Sequence, residues 1–328
     1  MVVKSKRCDP ATVSISPNHH ASFSRPPRSD LSSIMKRVRR ASSPSNERPN
    51  GSASPSSLPA LSLSILGVEP LDEFIKEVAD FVHHMIMTRG QEIPNAKVEV
   101  EAKIGVLRER SSGQRLSLPV LVETILAPGF SEVRFESNMS VHQHRHFNTL
   151  LNNLKTNPPL SHSPIDYSHL YLVDTFYPSE NSEKVRVTRD EKTGTVLETM
   201  RKVRLGDLNI YSPKREADWR ISVNLEIPTP HPLGATSHSR RKDRLSYSHE
   251  EFKIDLTQVT STMSANAPPQ ILHELEIEIA RPDLLMATAL KRNEASASEH
   301  ERSAFDELIR AFVNNARILV RNANDGWQ

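Results

Sequence analysis

The stretch KVEVEAKI, residues 97–104, alternates strictly between charged and apolar side chains. In an extended strand successive side chains point to opposite faces, so Glu99, Glu101 and Lys103 share one face. The other face is apolar throughout and can be buried, whereas the charged face needs water, counter-ions or a ligand. The stretch therefore predicts a strand in an antiparallel sheet whose two faces differ strongly in polarity.

A second stretch, HELEIE at residues 273–278, repeats this alternation. It places Glu274, Glu276 and Glu278 on one face. One polar face is ordinary for a sheet exposed to water. Two acidic strands that paired, however, would form a cluster of the hard oxygen ligands that Mg²⁺ and Mn²⁺ prefer.

Basic residues occur at the same two-residue spacing in other stretches. The pairs are Lys184 and Arg186, Lys202 and Arg204, and Lys242 and Arg244. In a flat sheet they could face water, whereas in a closed barrel they would turn inward and leave the apolar face to pack under helices. An interior lined by charges of both signs needs water, a metal and an anionic ligand to balance it. A chain of phosphates bridged to a metal would satisfy both signs.

Alternation and helical periodicity outline the rest of the fold. Eight or nine alternating runs predict strands near residues 97–106, 131–137, 169–177, 183–190, 195–204, 218–227, 242–248, 251–257 and 273–280. Residues 228–241, rich in Pro, Gly and Ser, predict a mobile loop. This pattern is typical of an antiparallel sheet or barrel with a few helices outside it.

Three helices are predicted from apolar residues at helical spacing, at about residues 71–90, 141–154 and 298–320. Asp72 and Glu73 suit the first turn of the first helix, and Gly90 suits its end. In the last helix one apolar face is expected to hold Phe305, Leu308, Ile309, Phe312, Val313 and Ile318.

Composition divides the chain in two. Residues 1–60 carry ten Lys or Arg and only three Asp or Glu, and are rich in Ser and Pro, so we expect a disordered basic tail. Residues 61–328 are expected to form the folded domain. The cluster MKRVRR, residues 35–40, suits either a nuclear address or an ordinary solvated tail.

Several function classes are excluded by what the sequence lacks. No stretch approaches the roughly 20 apolar residues that a membrane span needs, so we expect no membrane association. Cys8 is the single cysteine, which rules out a disulfide framework within the chain. The sequence contains neither a G-x-S-x-G nucleophile turn nor a P-loop.

Five motifs together resemble one known family. They are VEVEAKIG at 98–105, DWRISVNLE at 218–226, RRKDRLSY at 240–247, KIDLT at 253–257 and HELEIE at 273–278. In this order and spacing they resemble strands of the fungal RNA 5′-triphosphatases, the β subunits of yeast-type mRNA-capping enzyme, which are triphosphate tunnel metalloenzymes. The likeness covers about residues 70–320. It implies an α+β fold, a closed antiparallel eight-stranded β-barrel (the triphosphate tunnel) with flanking helices.

The resemblance also implies roles for individual side chains. Glu99, Glu101 and Glu278 would hold Mg²⁺ or Mn²⁺, and Glu226 would orient or deprotonate the attacking water. The acidic cluster would be completed by Glu274 and Glu276. The phosphates would be neutralised by Arg186, Lys202, Arg240, Lys242 and Arg244. The tunnel wall would be supported by Asp174, Lys253 and Asp255.

By the same resemblance the chain is a nuclear polynucleotide 5′-triphosphatase. It would hydrolyse the γ-phosphate of triphosphate-ended pre-mRNA as the first step of capping. The implied partners are 5′-triphosphate RNA, the mRNA guanylyltransferase and a second copy of the chain. One departure is that the chain's tryptophans are Trp219 and Trp327, so it lacks the tryptophan-containing guanylyltransferase-binding motif expected before the first helix.

Two alternatives remain open from the sequence. A tunnel of this kind could instead hydrolyse inorganic tripolyphosphate, a free nucleoside triphosphate or thiamine triphosphate. A barrel that captures anions without turnover, as a capping scaffold, would form a third class of function. The acidic set argues against that third class, because a pure anion binder has no use for inward glutamates.

Overall fold

The structure is a computed structural model and describes residues 61–67, 69–70, 72–89, 93, 95–158, 163–178, 184–262, 268–324 and 327. The chain divides into two units, Met1–Leu71 and Asp72–Gln328. In the first unit, Gly67 N–H donates to the Ser64 carbonyl at 3.0 Å and closes a turn. The predicted disordered tail and its basic cluster lie outside the described residues.

The described residues of the second unit form ten strands and four helices. The strands are β1 (Lys97–Glu109), β2 (Thr124–Ile125), β3 (Val133–Glu136), β4 (Asp166–Pro178), β5 (Lys184–Asp190), β6 (Val196–Tyr211), β7 (Asp218–Pro228), β8 (His238–His249), β9 (Phe252–Thr262) and β10 (Gln270–Ile279). The helices are α1 (Glu73–Arg89), α2 (Val141–Thr156), α3 (Pro282–Lys291) and α4 (Glu299–Arg321).

Eight of the strands close into an antiparallel barrel. Hydrogen bonding follows the order β1–β7–β6–β5–β4–β8–β9–β10 and returns from β10 to β1. β3 pairs with the end of β1, and β2 pairs with β6. The closed eight-stranded barrel with flanking helices is therefore confirmed.

The two acidic strands are neighbours in this barrel. Glu101 lies opposite Glu278, and Lys103 lies opposite Glu276. This pairing closes the barrel, so the closure itself brings the two glutamate rows together.

The apolar faces of the strands point outward and form the main core with the helices. On β1 the side chains of Val100, Ala102 and Ile104 are fully buried. The outward faces of β7 and β10 and the inner faces of all four helices join the same core. Because each fully buried aliphatic or aromatic side chain stabilises the fold by about 1.5–3 kcal/mol, most of the stability lies outside the barrel.

A bulge in β6 lets α1 approach the barrel. The pairing of β6 with β7 shifts register between Arg204 and Gly206. A Cβ on Gly206 would lie 3.0 Å from Met85 Sδ and 3.3 Å from the Phe81 ring. The absent side chain therefore leaves room for the α1 residues that cover this part of the sheet.

The helix ends are determined by local hydrogen bonds. The Ser298 hydroxyl accepts from Glu301 N–H while the Glu301 carboxylate accepts from Ser298 N–H, which forms a capping box at the start of α4. Ser140 caps α2 in the same position by accepting from Gln143 N–H.

No helix in the described part of the chain is long and apolar enough to cross a membrane.

Several details differ from the sequence predictions, including the short strand β2, which was not predicted. The predicted loop 228–241 is too long, because β8 begins at His238 and its backbone pairs with β4 in spite of a composition unfavourable for strands. Ile318 is not on the buried face of α4: it is 50% exposed, and the stripe continues through Ala316 and Leu319. α3 was not predicted, because ten residues with two buried side chains give little helical periodicity.

We expect the Phe312→Ala variant to lose about 3–5 kcal/mol of unfolding free energy. Phe312 is fully buried and packs against the Phe252 ring at 6.3 Å between centroids. The matched control is Leu290→Ala on α3, where the side chain is 53% exposed and the expected loss is below about 0.5 kcal/mol. Urea unfolding followed by circular dichroism measures both losses, and equal losses would contradict the placement of the core.

Candidate active site

The inner face of the barrel carries the charged side chains that the alternation singled out. Lys202 on β6 bonds to Glu99 on β1 although β7 lies between these strands. Arg186 on β5 likewise reaches Glu226 on β7, past β6, with 3.3 Å between Nη2 and Oε1. Bonds that cross an intervening strand require the concave side of the sheet, so these side chains line the tunnel.

One side of the tunnel is acidic. We call it the acidic wall, and its members on β1, β7 and β10 are Glu99, Glu101, Glu226, Glu274, Glu276 and Glu278. Lys103 is embedded in this wall and bonds to Glu276 at 2.5 Å between Nζ and Oε2. Burial lowers the pKa of Lys103, but Glu276 and Glu101 outweigh that effect and raise it well above its ordinary value.

The acidic wall has too little positive charge around Glu99. Burial raises the pKa of Glu99 to about 7, and the nearby Glu101 carboxylate adds to the shift. Lys202 contacts both carboxylates, with 3.3 Å between its Nζ and Glu101 Oε1, and opposes the shift only in part. A further cation beside Glu99 and Glu101 would lower this electrostatic cost.

The opposite side is basic. We call it the basic wall, and its members on β5 and β8 are Arg186, Lys242 and Arg244. Lys242 Nζ lies 2.6 Å from Asp174 Oδ2, and the same carboxylate accepts from the Thr188 hydroxyl at 2.7 Å. Burial lowers the pKa of Lys242, and repulsion from Arg244 and Arg186 contributes, so the single Asp174 partner does not compensate. The basic wall thus has too little negative charge.

Arg244 links the two walls. Its Nη1 lies 2.5 Å from Asp255 Oδ2, and its Nη2 lies 2.9 Å from Glu276 Oε1. Next to this pair, Lys253 Nζ lies 2.9 Å from Glu278 Oε1 and 3.3 Å from Asp255 Oδ2. Asp255 is nearly fully buried, and its carboxylate orients the side chains of Arg244 and Lys253.

Among the residues that the structure describes, two buried polar atoms in the tunnel have no hydrogen-bond partner. One is Arg186 Nε, a donor, and the other is Asn224 Oδ1, an acceptor. Asn224 is 1% exposed, and its amide nitrogen donates to Glu99 at 2.9 Å and to Glu101 at 3.3 Å. An unpaired buried donor on the basic side suits an anion, and an unpaired acceptor on the acidic side suits a water or a hydrated cation.

The carboxylates of the acidic wall are candidate ligands for a divalent metal. Among the residues that the structure describes, no three carboxylates or imidazoles come together as a ready coordination shell. The carboxylates instead form ion pairs with lysines. Lys202 pairs with Glu99 and Glu101, and Lys253 pairs with Glu278. The donors are hard carboxylate oxygens that already attract cations, so their chemistry suits a hard divalent cation such as Mg²⁺ or Mn²⁺.

Most of the predicted site residues converge on the space between the two walls. Two lie toward its edges. Glu274 lies two residues before Glu276 on β10, and its carboxylate accepts a hydrogen bond from the Ser137 hydroxyl at 3.1 Å. Arg240 is exposed, and its guanidinium lies 5.3 Å from the centre of the Phe176 ring.

Asn224 has no role predicted from the sequence, and the structure places it beside Glu99 and Glu101. Its position in the alternation with Glu226 was visible in the β7 motif. Nothing in the sequence, however, shows that β7 pairs with β1 so that Asn224 lies opposite Glu99. The contact depends on the strand order of the closed barrel, which is not a local property of the sequence.

Comparison with known proteins gives one family. Residues 68–325 match the family described as mRNA capping enzyme, beta chain. The mRNA-capping enzyme subunit beta of Schizosaccharomyces pombe is 33% identical over 270 residues, which cover 80% of this chain and 86% of that protein. The subunit beta of Cryptococcus neoformans is 35% identical over 271 residues, which cover 79% of this chain and 64% of that protein.

A solved structure is similar over the same region. The S. pombe Pct1 RNA triphosphatase, determined in complex with the Spt5 CTD, is 32% identical to this chain and superposes with a TM-score of 0.73. The superposition covers 82% of this chain and 100% of the solved chain. Fold and sequence therefore point to the same family.

We expect the Asp174→Ala variant to lose about 3–5 kcal/mol of unfolding free energy at pH 7, because it leaves Lys242 buried and unpaired. Burial raises the pKa of Asp174, but Lys242 and Thr188 outweigh it, so the folded pKa lies below the ordinary value of 3.8. The ionised carboxylate therefore stabilises the fold above that value, and the stabilisation is lost as pH falls through the folded pKa.

Urea unfolding from pH 7 down to pH 3 measures this dependence. The difference between wild type and variant should shrink as the pH drops below about 4. The control is Asp243→Ala, whose side chain is 46% exposed and pairs with His169, and whose expected loss is below about 1 kcal/mol. A difference that grows at low pH would contradict the assignment.

Proposed function

The chain belongs to the family of mRNA capping enzyme beta chains, and we propose that it hydrolyses the γ-phosphate of triphosphate-ended RNA in the first step of mRNA capping. The observation that carries this proposal is the charge imbalance of the tunnel. One wall lacks positive charge around Glu99, and the other lacks negative charge around Lys242. A triphosphate together with a divalent cation supplies both.

The basic wall would bind the phosphates. Arg186 Nε is a buried donor that lacks an acceptor, and a phosphate oxygen would supply one. Lys242 and Arg244 are held by buried carboxylates, so their charges are already oriented before the substrate arrives. Preorganised cations of this kind stabilise the charge that develops on a transferring phosphoryl group without further rearrangement.

The family is metal-dependent, and we propose Mg²⁺ or Mn²⁺ as the ion, held by Glu99, Glu101 and Glu278. When bound, such an ion polarises a γ-phosphoryl oxygen and offsets developing negative charge. Asn224 keeps the Glu99 and Glu101 carboxylates oriented through its two hydrogen bonds. Lys202 would be released from these carboxylates and could turn to the phosphates.

Glu226 would orient or deprotonate the attacking water. Arg186 lies 3.3 Å from one of its oxygens, and the carboxylate retains further acceptor capacity for a water proton. Water would attack the γ-phosphorus, and the bond to the β–γ bridging oxygen would break. The products are a 5′-diphosphate RNA end and inorganic phosphate.

As a capping enzyme beta chain, this protein works with the capping machinery. We propose the mRNA guanylyltransferase as a partner, because the diphosphate end is the substrate for guanylylation, and a second copy of the chain as another. We also propose a nuclear location, where pre-mRNA is made. The basic cluster MKRVRR would support that location, although it lies outside the described residues.

Release of inorganic phosphate from 5′-triphosphate RNA in the presence of MgCl₂ or MnCl₂ tests the proposal. We expect wild type to be active and EDTA to stop the reaction. Glu278→Gln should lower kcat by roughly 100- to 1,000-fold, because it removes one charge from the metal site without changing its size. Glu307→Gln, an exposed position on α4, is the control and should have wild-type activity.

The same assay separates the alternative functions. Rapid hydrolysis of inorganic tripolyphosphate without release from RNA would identify a tripolyphosphatase instead. Tight binding of triphosphate by wild type without hydrolysis of RNA, nucleotide or tripolyphosphate under any divalent condition would identify an anion-binding scaffold.

A further inference from the structure

Two aromatic rings are stacked at one rim of the tunnel. Phe176 on β4 lies opposite His238 on β8, with ring centroids 4.5 Å apart and 7° between their planes. Both side chains are partly exposed. Phosphate and metal chemistry alone give no reason for two parallel flat rings at this position.

The two rings lie on the inner face of the barrel, next to the basic wall and nearer the end of the tunnel. Asp174, which holds Lys242 inside the tunnel, is two residues from Phe176 on β4. Arg240 is two residues from His238 on β8. Same-face neighbours on a strand lie about 7 Å apart, so the rings are one side-chain position beyond these charged residues.

Cations surround the two rings. The Arg240 guanidinium lies 5.3 Å from the centre of the Phe176 ring, and Arg186 is opposite Phe176 in the register of β4 and β5. Burial lowers the pKa of His238, and repulsion from Lys184 and Arg240 lowers it further. The His238 ring is therefore mostly neutral at pH 7, so the rim combines a neutral aromatic surface with adjacent positive charge.

We propose that the Phe176–His238 stack binds the base of the first nucleotide of the substrate while its phosphates extend into the tunnel. Every nucleobase has a flat π face that stacks on aromatic rings, so this contact is independent of sequence. Arg240 and Lys184 would neutralise the phosphates that cross the rim. The inference rests on the proposed triphosphatase function and adds a reason to prefer a nucleotide end over inorganic tripolyphosphate.

A second aromatic residue on the same strand provides a matched control. Tyr171 alternates onto the outer face of β4, and the ammonium of Lys192 lies 4.8 Å from the centre of its ring. It is thus an aromatic side chain with a neighbouring cation, like Phe176, but it faces away from the tunnel. Replacing either residue by Leu keeps an apolar side chain and removes the flat ring.

Steady-state kinetics of the full chain with two substrates test the inference. The measured quantity is the ratio of kcat/KM on 5′-triphosphate RNA to kcat/KM on inorganic tripolyphosphate. For Phe176→Leu we expect this ratio to fall about tenfold, because KM for RNA rises. For Tyr171→Leu the ratio should equal that of wild type. An unchanged ratio in Phe176→Leu, or an equal loss on both substrates, would overturn the proposal.

A spectroscopic measurement separates stacking from a general loss of binding. The probe is RNA with 2-aminopurine as its first base and a methylene group in place of the β–γ bridging oxygen, which prevents hydrolysis. Saturating wild-type protein should quench the fluorescence by stacking, and saturating Phe176→Leu should quench it much less. Equal quenching by both would overturn the inference.

The failure of this inference can be distinguished from failure of the proposed function. If wild type releases no phosphate from RNA, the triphosphatase function itself is wrong. If wild type is active on RNA and Phe176→Leu keeps the wild-type substrate ratio, only the base-binding role of the rim is wrong.

Discussion

The structure depends on one electrostatic constraint: charges of both signs are enclosed in a barrel that cannot neutralise them all by itself. Ion pairs such as Lys103 with Glu276 and Arg244 with Asp255 satisfy part of the requirement. Glu99 on one side and Lys242 on the other remain incompletely compensated. Because an enclosed charge is costly unless it is paired, the tunnel favours the binding of a cation and an anion together.

The rest of the fold makes this cost tolerable. The main hydrophobic core lies outside the barrel, between the outward faces of the strands and the helices that cover them. The apolar side chains that supply most of the stability are therefore separate from those that bind charge. Within the described part of the chain, the tunnel contains the buried polar atoms Arg186 Nε and Asn224 Oδ1 without a hydrogen-bond partner, and such atoms suit a bound ligand.

The sequence predicted much of this arrangement, because side-chain alternation is a local property. Alternation placed Glu99 and Glu101 on the same face of β1, and Glu276 and Glu278 on the same face of β10. The apolar faces of the strands were expected to lie outward, because helices have to cover them. Strand order is not local, so closure of the barrel came from the resemblance of the motifs and not from alternation. The role of Asn224, the start of β8 at His238 and the Phe176–His238 stack all depend on which strands are neighbours, and these features needed the structure.

The charge arrangement of the two walls implies that they bind a cation and a polyphosphate cooperatively. Isothermal titration of Mn²⁺ into the protein, with and without a saturating non-hydrolysable triphosphate analogue, measures that coupling after correction for binding of Mn²⁺ to the free analogue. Mn²⁺ should bind at least about tenfold more tightly when the analogue is bound, and the affinity for the analogue should rise by the same factor when Mn²⁺ is bound. Equal Mn²⁺ affinity in both titrations would contradict it.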